Sequence, residues 1–149
     1  MINTRDLMLG NWVKRNVPYS DNNGICEVKS ITSEYVGLHD DCVFDTLPCD
    51  TDGIEVTEEL LIRIGFKKLQ MLKDRCFFRY WDKDYRYKLD ADLGFCNGPR
   101  KWGLHVDNDV CNTIGAGEFT YVHELQNLVR VVTGYELKID KSILYGLDD

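Results

Sequence analysis

Three histidines and six cysteines are the side chains best suited to metal ligation, nucleophilic attack or proton transfer near neutral pH, so their spacing is informative first. His39 and Cys42 stand three residues apart and can offer two zinc ligands, with Cys49 as a third. A structural zinc site takes four ligands, usually from two close pairs. No second pair completes one here, and burial at strand edges is the simpler account. His105, Asp107 and Asp109 carry donors that a divalent ion accepts, as do Asp90 and Asp92 ahead of Gly94. The second group departs from the calcium-loop pattern: its glycine comes one place early and no glutamate follows at the right distance. Acidic turn residues explain both groups. His123, beside Glu124, falls in the first turn of a helical segment, where a neutral imidazole can move a proton or bind a ligand. No Gly-x-Ser-x-Gly and no His-Glu-x-x-His accompanies it. A packing or capping histidine is therefore expected, with no catalytic centre, no metal and no cofactor.

The cysteines Cys26, Cys42, Cys49, Cys76, Cys96 and Cys111 contain no Cys-x-x-Cys pair, which argues against zinc-ribbon and thioredoxin-like chemistry. The beginning of the chain, Met1-Ile2-Asn3-Thr4-Arg5-Asp6, lacks the charged-then-apolar layout of a secretory signal. A cytoplasmic location and free thiols are expected, the thiols mostly acting as small buried hydrophobes. No apolar run approaches the ~20 residues of a membrane span. With 25 acidic against 18 basic residues the net charge is −7, a surface that repels phosphates at long range. Nucleic-acid binding is disfavoured on that ground. The alternative is a nucleic-acid-associated module that uses a small N-terminal barrel or the aromatic hairpin at 75–89: between Arg75 and Lys88 aromatic residues alternate with Arg79, Arg86 and Lys88, the composition of a single-strand platform. Asp74, Asp82, Asp84, Asp90 and Asp92 surround it and offset the positive potential.

The elements that must position these residues follow from periodicity and turn chemistry. A chain of 149 residues buries roughly two thirds of its unfolded surface and needs no staple. Residues 10–14, Ile25–Ile31, 35–39 and 42–44 read as short strands, separated by the turn-rich run at 18–24 and by Asp40-Asp41. Four short strands in so few residues predict a small barrel, SH3-like in its spacing, over residues 1–50. A polar connector, Asp45 to Gly53, separates it from an α+β part over 54–149, expected to pack against it as an antiparallel sheet with two short helices. Thr57, Glu58 and Glu59 open the first helix and Gly65 closes it, with Leu60, Leu61 and Ile64 inward. Residues 76–81 and 85–89 form a hairpin about Asp82-Lys83-Asp84, and 102–106 a further strand after a turn at Asn97-Gly98-Pro99. Gly115-Ala116-Gly117 is expected to break the chain before the second helix. There Val122, Leu125, Leu128, Val129 and Val132 make one apolar stripe, with Glu124, Gln126, Asn127 and Arg130 turned away. Gly134 ends that helix, and residues 135–139 are expected to return as a strand.

Three islands together, Leu9-Gly10-Asn11-Trp12-Val13, Val56 to Phe66, and Tyr121 to Leu128 with Thr133-Gly134-Tyr135-Glu136-Leu137, give the chain a recognisable pattern. It resembles a family of short proteins found in phages and mobile elements of gut bacteria. The resemblance implies an accessory protein acting inside the bacterial cell, and it transfers no functional residue. Taken with the acidic surface and the lack of a catalytic constellation in sequence, the expected role is non-enzymatic binding of a host or phage protein. Tyr121, His123 and Gln126, beside the apolar stripe, are candidates either for clamping the helix to a sheet or for forming a recognition face. Trp12 and Trp81 complete the set of interaction candidates.

Overall fold

The computed structural model describes residues 2–16, 24–32, 34–39, 43–46, 50–72, 75–82, 87–93, 101–108 and 112–145. The fold is α+β, mostly strand, with two antiparallel sheets and few helices. The chain divides into two compact units that do not follow a single cut in the sequence. One takes in Met1–Glu55, Tyr121–Asn127 and Ile139–Asp149, the other Val56–Thr120 and Leu128–Lys138. Among the described residues no helix is long and apolar enough to cross a membrane.

The first unit holds strands β1 (Trp12–Arg15), β2 (Ile25–Ile31), β3 (Val36–His39), β4 (Val43–Thr46) and β5 (Thr51–Asp52), in the order β4-β3-β2-β1-β5. Asp45–Gly53, expected as a connector, thus contains the end of β4 and all of β5, which pairs with β1 at Lys14 and Arg15. Alternation places Val13, Cys26, Val28, Val36 and Leu38 on one core, joined by Ile2 and Leu7. A register shift between Val28 and Ser30 ends the alternation of β2 and leaves Ser30 exposed, which explains why that strand is only partly regular in sequence. A short helix, Lys141–Leu144, is capped by the Asp140 carboxylate.

The second unit starts with helix α1 (Glu58–Ile64). The Thr57 hydroxyl accepts from Leu60 N–H at 3.1 Å, and Gly65, at φ 117°, adopts the left-handed geometry that stops the helix. Leu60, Leu61 and Ile64 are buried as their spacing predicts. A five-stranded meander follows in the order β10-β9-β8-β7-β6: β6 (Lys67–Leu72), β7 (Arg75–Trp81), β8 (Lys88–Leu93), β9 (Trp102–Asn108) and β10 (Asn112–Phe119). One face is apolar and buried: Phe78, Leu89, Ala91, Trp102, Leu104, Val106 and Phe119. Phe78 meets Trp102 edge to face at 5.5 Å, and the Trp102 indole donates to the Val56 carbonyl at 2.9 Å.

Several expectations are corrected here. Gly115-Ala116-Gly117 does not break the chain: it lies inside β10, where a bulge between Gly115 and Gly117 absorbs the irregularity. Residues 135–139 form no strand. Helix α2 runs Val122–Thr133, and Val122, Leu125 and Val129 are fully buried, but Leu128 is only half-buried and Val132 is 37% exposed. Gln126 is 9% exposed rather than turned outward. The turns at Asp40-Asp41, Asp82-Lys83-Asp84 and Asn97-Gly98-Pro99, and the thiols of Cys42, Cys49, Cys76, Cys96 and Cys111, lie wholly or partly outside the described residues.

Candidate functional site

The first two turns of α2 collect three of the five interaction candidates. The Glu124 carboxylate reaches back to accept from Tyr121 N–H at 3.0 Å, closing the helix start, and a carboxylate at that end is favoured by the helix dipole. Val122 N–H donates to the Ile54 carbonyl at 2.9 Å, and Tyr121 bridges to Glu55, so the chain enters the helix in a fixed position. Tyr121 lies across Gly53: a Cβ there would come within 2.4 Å of the tyrosine ring, so glycine is what lets the ring lie flat. The same ring stacks on His123 at 5.8 Å and 8°.

His123 is 2% exposed, and among the described residues its Nδ1 has no hydrogen-bond partner. Burial pushes its pKa below the usual imidazole value, with the carboxylates of Glu124 and Asp6 pulling weakly the other way. The ring is therefore neutral at neutral pH. The ring packs inside the fold against Tyr121.

Gln126 is committed at both ends of its amide. Its Oε1 accepts from Trp12 N–H at 3.0 Å and its Nε2 donates to the Gly10 carbonyl at 3.1 Å, so the side chain pairs with the entry to β1 much as a neighbouring strand would. Asn127 extends the clamp. It donates to the Asp6 carbonyl at 2.6 Å and accepts from Asn11 Nδ2 at 2.9 Å, while Asn11 Oδ1 accepts from Met8 N–H at 2.7 Å. The Trp12 indole donates to the Ile139 carbonyl at 3.0 Å. Asn11 and Asn127 were not among the sequence candidates. Their partners lie up to 121 residues away, and no local pattern announces such pairs.

Trp81 belongs instead to the second sheet. It is 38% exposed, with the Lys67 ammonium 5.7 Å and the Arg79 guanidinium 5.8 Å from its ring. Cross-strand register then builds a polar face. Arg79 forks onto Asp90 at 2.6 and 2.7 Å, a bond that raises the guanidinium pKa above its usual value. Lys88 pairs with Asp107, and His105 Nε2 lies 3.4 Å from Asp92. Of the carboxylates considered above as ion ligands, Asp90 and Asp107 are thus engaged with Arg79 and Lys88, and Asp92 lies beside the His105 ring. Among the described residues no group of three His, Cys, Asp or Glu can hold a metal, and Asp109 lies outside them. The large exposed apolar side chains of the second unit include Ile62 at 51%, Val131 at 72%, Val132 at 37% and Tyr135 at 40%. Compared with known proteins, the chain matches no family profile, no curated protein and no solved structure.

Proposed function

We propose that the protein is a non-enzymatic accessory protein of a phage or mobile element, acting in the bacterial cytoplasm by binding a host or phage protein. The observation that carries this is the division of labour on α2. Its N-terminal polar side chains, where sequence placed the best chemistry, are spent inside the fold: Gln126 and Asn127 on backbone partners, His123 in a buried stack. Its C-terminal end presents Val131, Val132 and, just beyond, Tyr135 to solvent. Grouped exposed apolar side chains mark contact surfaces more often than catalytic ones. The first sheet, ordered β4-β3-β2-β1-β5, supports reading the first unit as an SH3-like barrel, a fold that by itself assigns no function.

The test is recovery of a stoichiometric protein partner from a host lysate at low and physiological salt, with wild type beside Val131→Asp. A partner held by wild type and lost by the variant supports the proposal. Recovery of none at either salt contradicts it.

A second function is favoured by Trp81 alone: an exposed indole flanked by Lys67 and Arg79 is a stacking position for a base in single-stranded nucleic acid. The pairing of Arg79 with Asp90 and of Lys88 with Asp107 removes much of the charge that phosphate contacts require. Oligonucleotide affinity across a salt series separates the two: phosphate contacts give a steep fall with salt, and no binding at about 50 mM removes this alternative.

A further inference from the structure

We propose that His123 is an acid-sensitive latch: its neutral ring keeps the first two turns of α2 seated on β1 and on the Thr4–Asp6 turn, and its protonation releases them. The geometry supplies each part. The ring is 2% exposed and sits where a helix start presents its positive end, an unfavourable place for a second positive charge. Tyr121 stacks on the ring and itself lies close against Gly53. Nδ1 lacks a partner among the described residues, so the imidazolium, which carries N–H on both nitrogens, leaves a buried charged donor unpaired there.

Among the described residues, the charged groups acting on the ring are Glu124, from its own helix, and Asp6, from the turn that Asn127 grips. Glu124 already caps Tyr121 N–H through Oε2, so drawing its carboxylate toward an imidazolium competes with that cap. Asp6 belongs to the segment whose carbonyl Asn127 holds, so its attraction to an imidazolium acts on that same contact. Both attractions pull on groups that seat the helix start, where Val122 and Leu125 are fully buried. The direction is fixed by linkage. The seated ring resists protonation more than the released one, so seating is strongest above the released ring's value near 6.5 and is lost as pH falls through the lower, seated value.

Amide hydrogen exchange of the full chain tests this, with rates corrected for the intrinsic effect of pH. The reference is His123→Phe, which keeps an aromatic ring against Tyr121, removes the titration and leaves His39 and His105 in place. In wild type the opening equilibrium of residues 125–127 should rise by about tenfold per pH unit below pH 6.5, the slope of one proton. In the variant it should stay flat over that window. Equal slopes in the two proteins, or no slope in wild type, overturn the latch. A purely structural histidine would shift exchange equally at every pH. Should His123→Phe fail to fold, the wild-type His123 ring resonance decides: titration at or above the ordinary imidazole value overturns the proposal, and titration below it with simultaneous broadening of the Asn127 amide supports it.

Discussion

Replacing Gln126 with alanine separates the two roles that its position allows. If the side chain clamps α2 to the entry of β1, the change leaves Trp12 N–H and the Gly10 carbonyl without the partners they hold at 3.0 and 3.1 Å. Both bonds are part-buried, so water restores them poorly, and each is worth about 1 kcal/mol net, more if the group is left dry. The sum, about 2–3 kcal/mol, is a large share of the roughly 5–15 kcal/mol that holds a domain. At about 2–4 °C per kcal/mol for a chain of this size, the melting temperature falls by about 5–10 °C. Gln126→Glu is diagnostic. It retains the acceptor for Trp12, loses the donor to Gly10 and sets a carboxylate against that carbonyl. Its deficit should therefore shrink as pH falls and the carboxyl regains a proton to donate. Arg130→Ala is the control, since its contact with Glu136 at 3.7 Å is exposed on both sides and worth under about 1 kcal/mol. Calorimetric melting of the three variants is the assay. A Gln126→Ala protein that melts within about a degree of the parent would refute the clamp.

Leu125→Ala removes a fully buried side chain and should cost about 2–5 kcal/mol by denaturant titration, whereas Val132→Ala, at 37% exposure, should cost well under 1 kcal/mol. Gly65→Ala forces a side chain into φ 117° and should lower the urea midpoint by about 1 kcal/mol of stability with an unchanged slope. Burial pushes the Cys26 thiol above its usual pKa, so peptide mapping after iodoacetamide treatment at pH 7–8 should find Cys26 unmodified in folded protein and modified after denaturation.

What sequence made legible was local. Thr57 and Gly65 bracket α1 because cap chemistry is decided within four residues, and the limits of β2 at Ile25 and Ile31 follow from its β-branched ends. The antiparallel α+β character followed from many short strands. Gly115-Ala116-Gly117 misled because glycine marks a break and a bulge equally well, and only pairing with β9 distinguishes them. Residues 135–139 alternate like a strand, and their apolar members Leu137 and Ile139 are buried, yet the segment joins no sheet among the described residues. The stripe of α2 predicted which face turns inward near its middle and failed at Val132, where burial depends on what lies opposite and not on the helix. Gln126 was placed on the outer face because its polarity was counted and its amide geometry was not. An amide that matches a backbone edge can be buried as readily as a leucine, and its partners, 114 and 116 residues away, leave no trace in periodicity.

The binding role rests on the C-terminal end of α2 as a contact surface, and a photo-crosslinker introduced at position 131 in living bacterial cells tests it most directly. With Val131 72% exposed, the substituted ring reaches solvent without disturbing the core. The expected result is a discrete protein adduct on irradiation, absent when the same group replaces the exposed Glu59 on α1. No adduct from position 131 above that seen from position 59, or adducts to nucleic acid alone, would contradict the account.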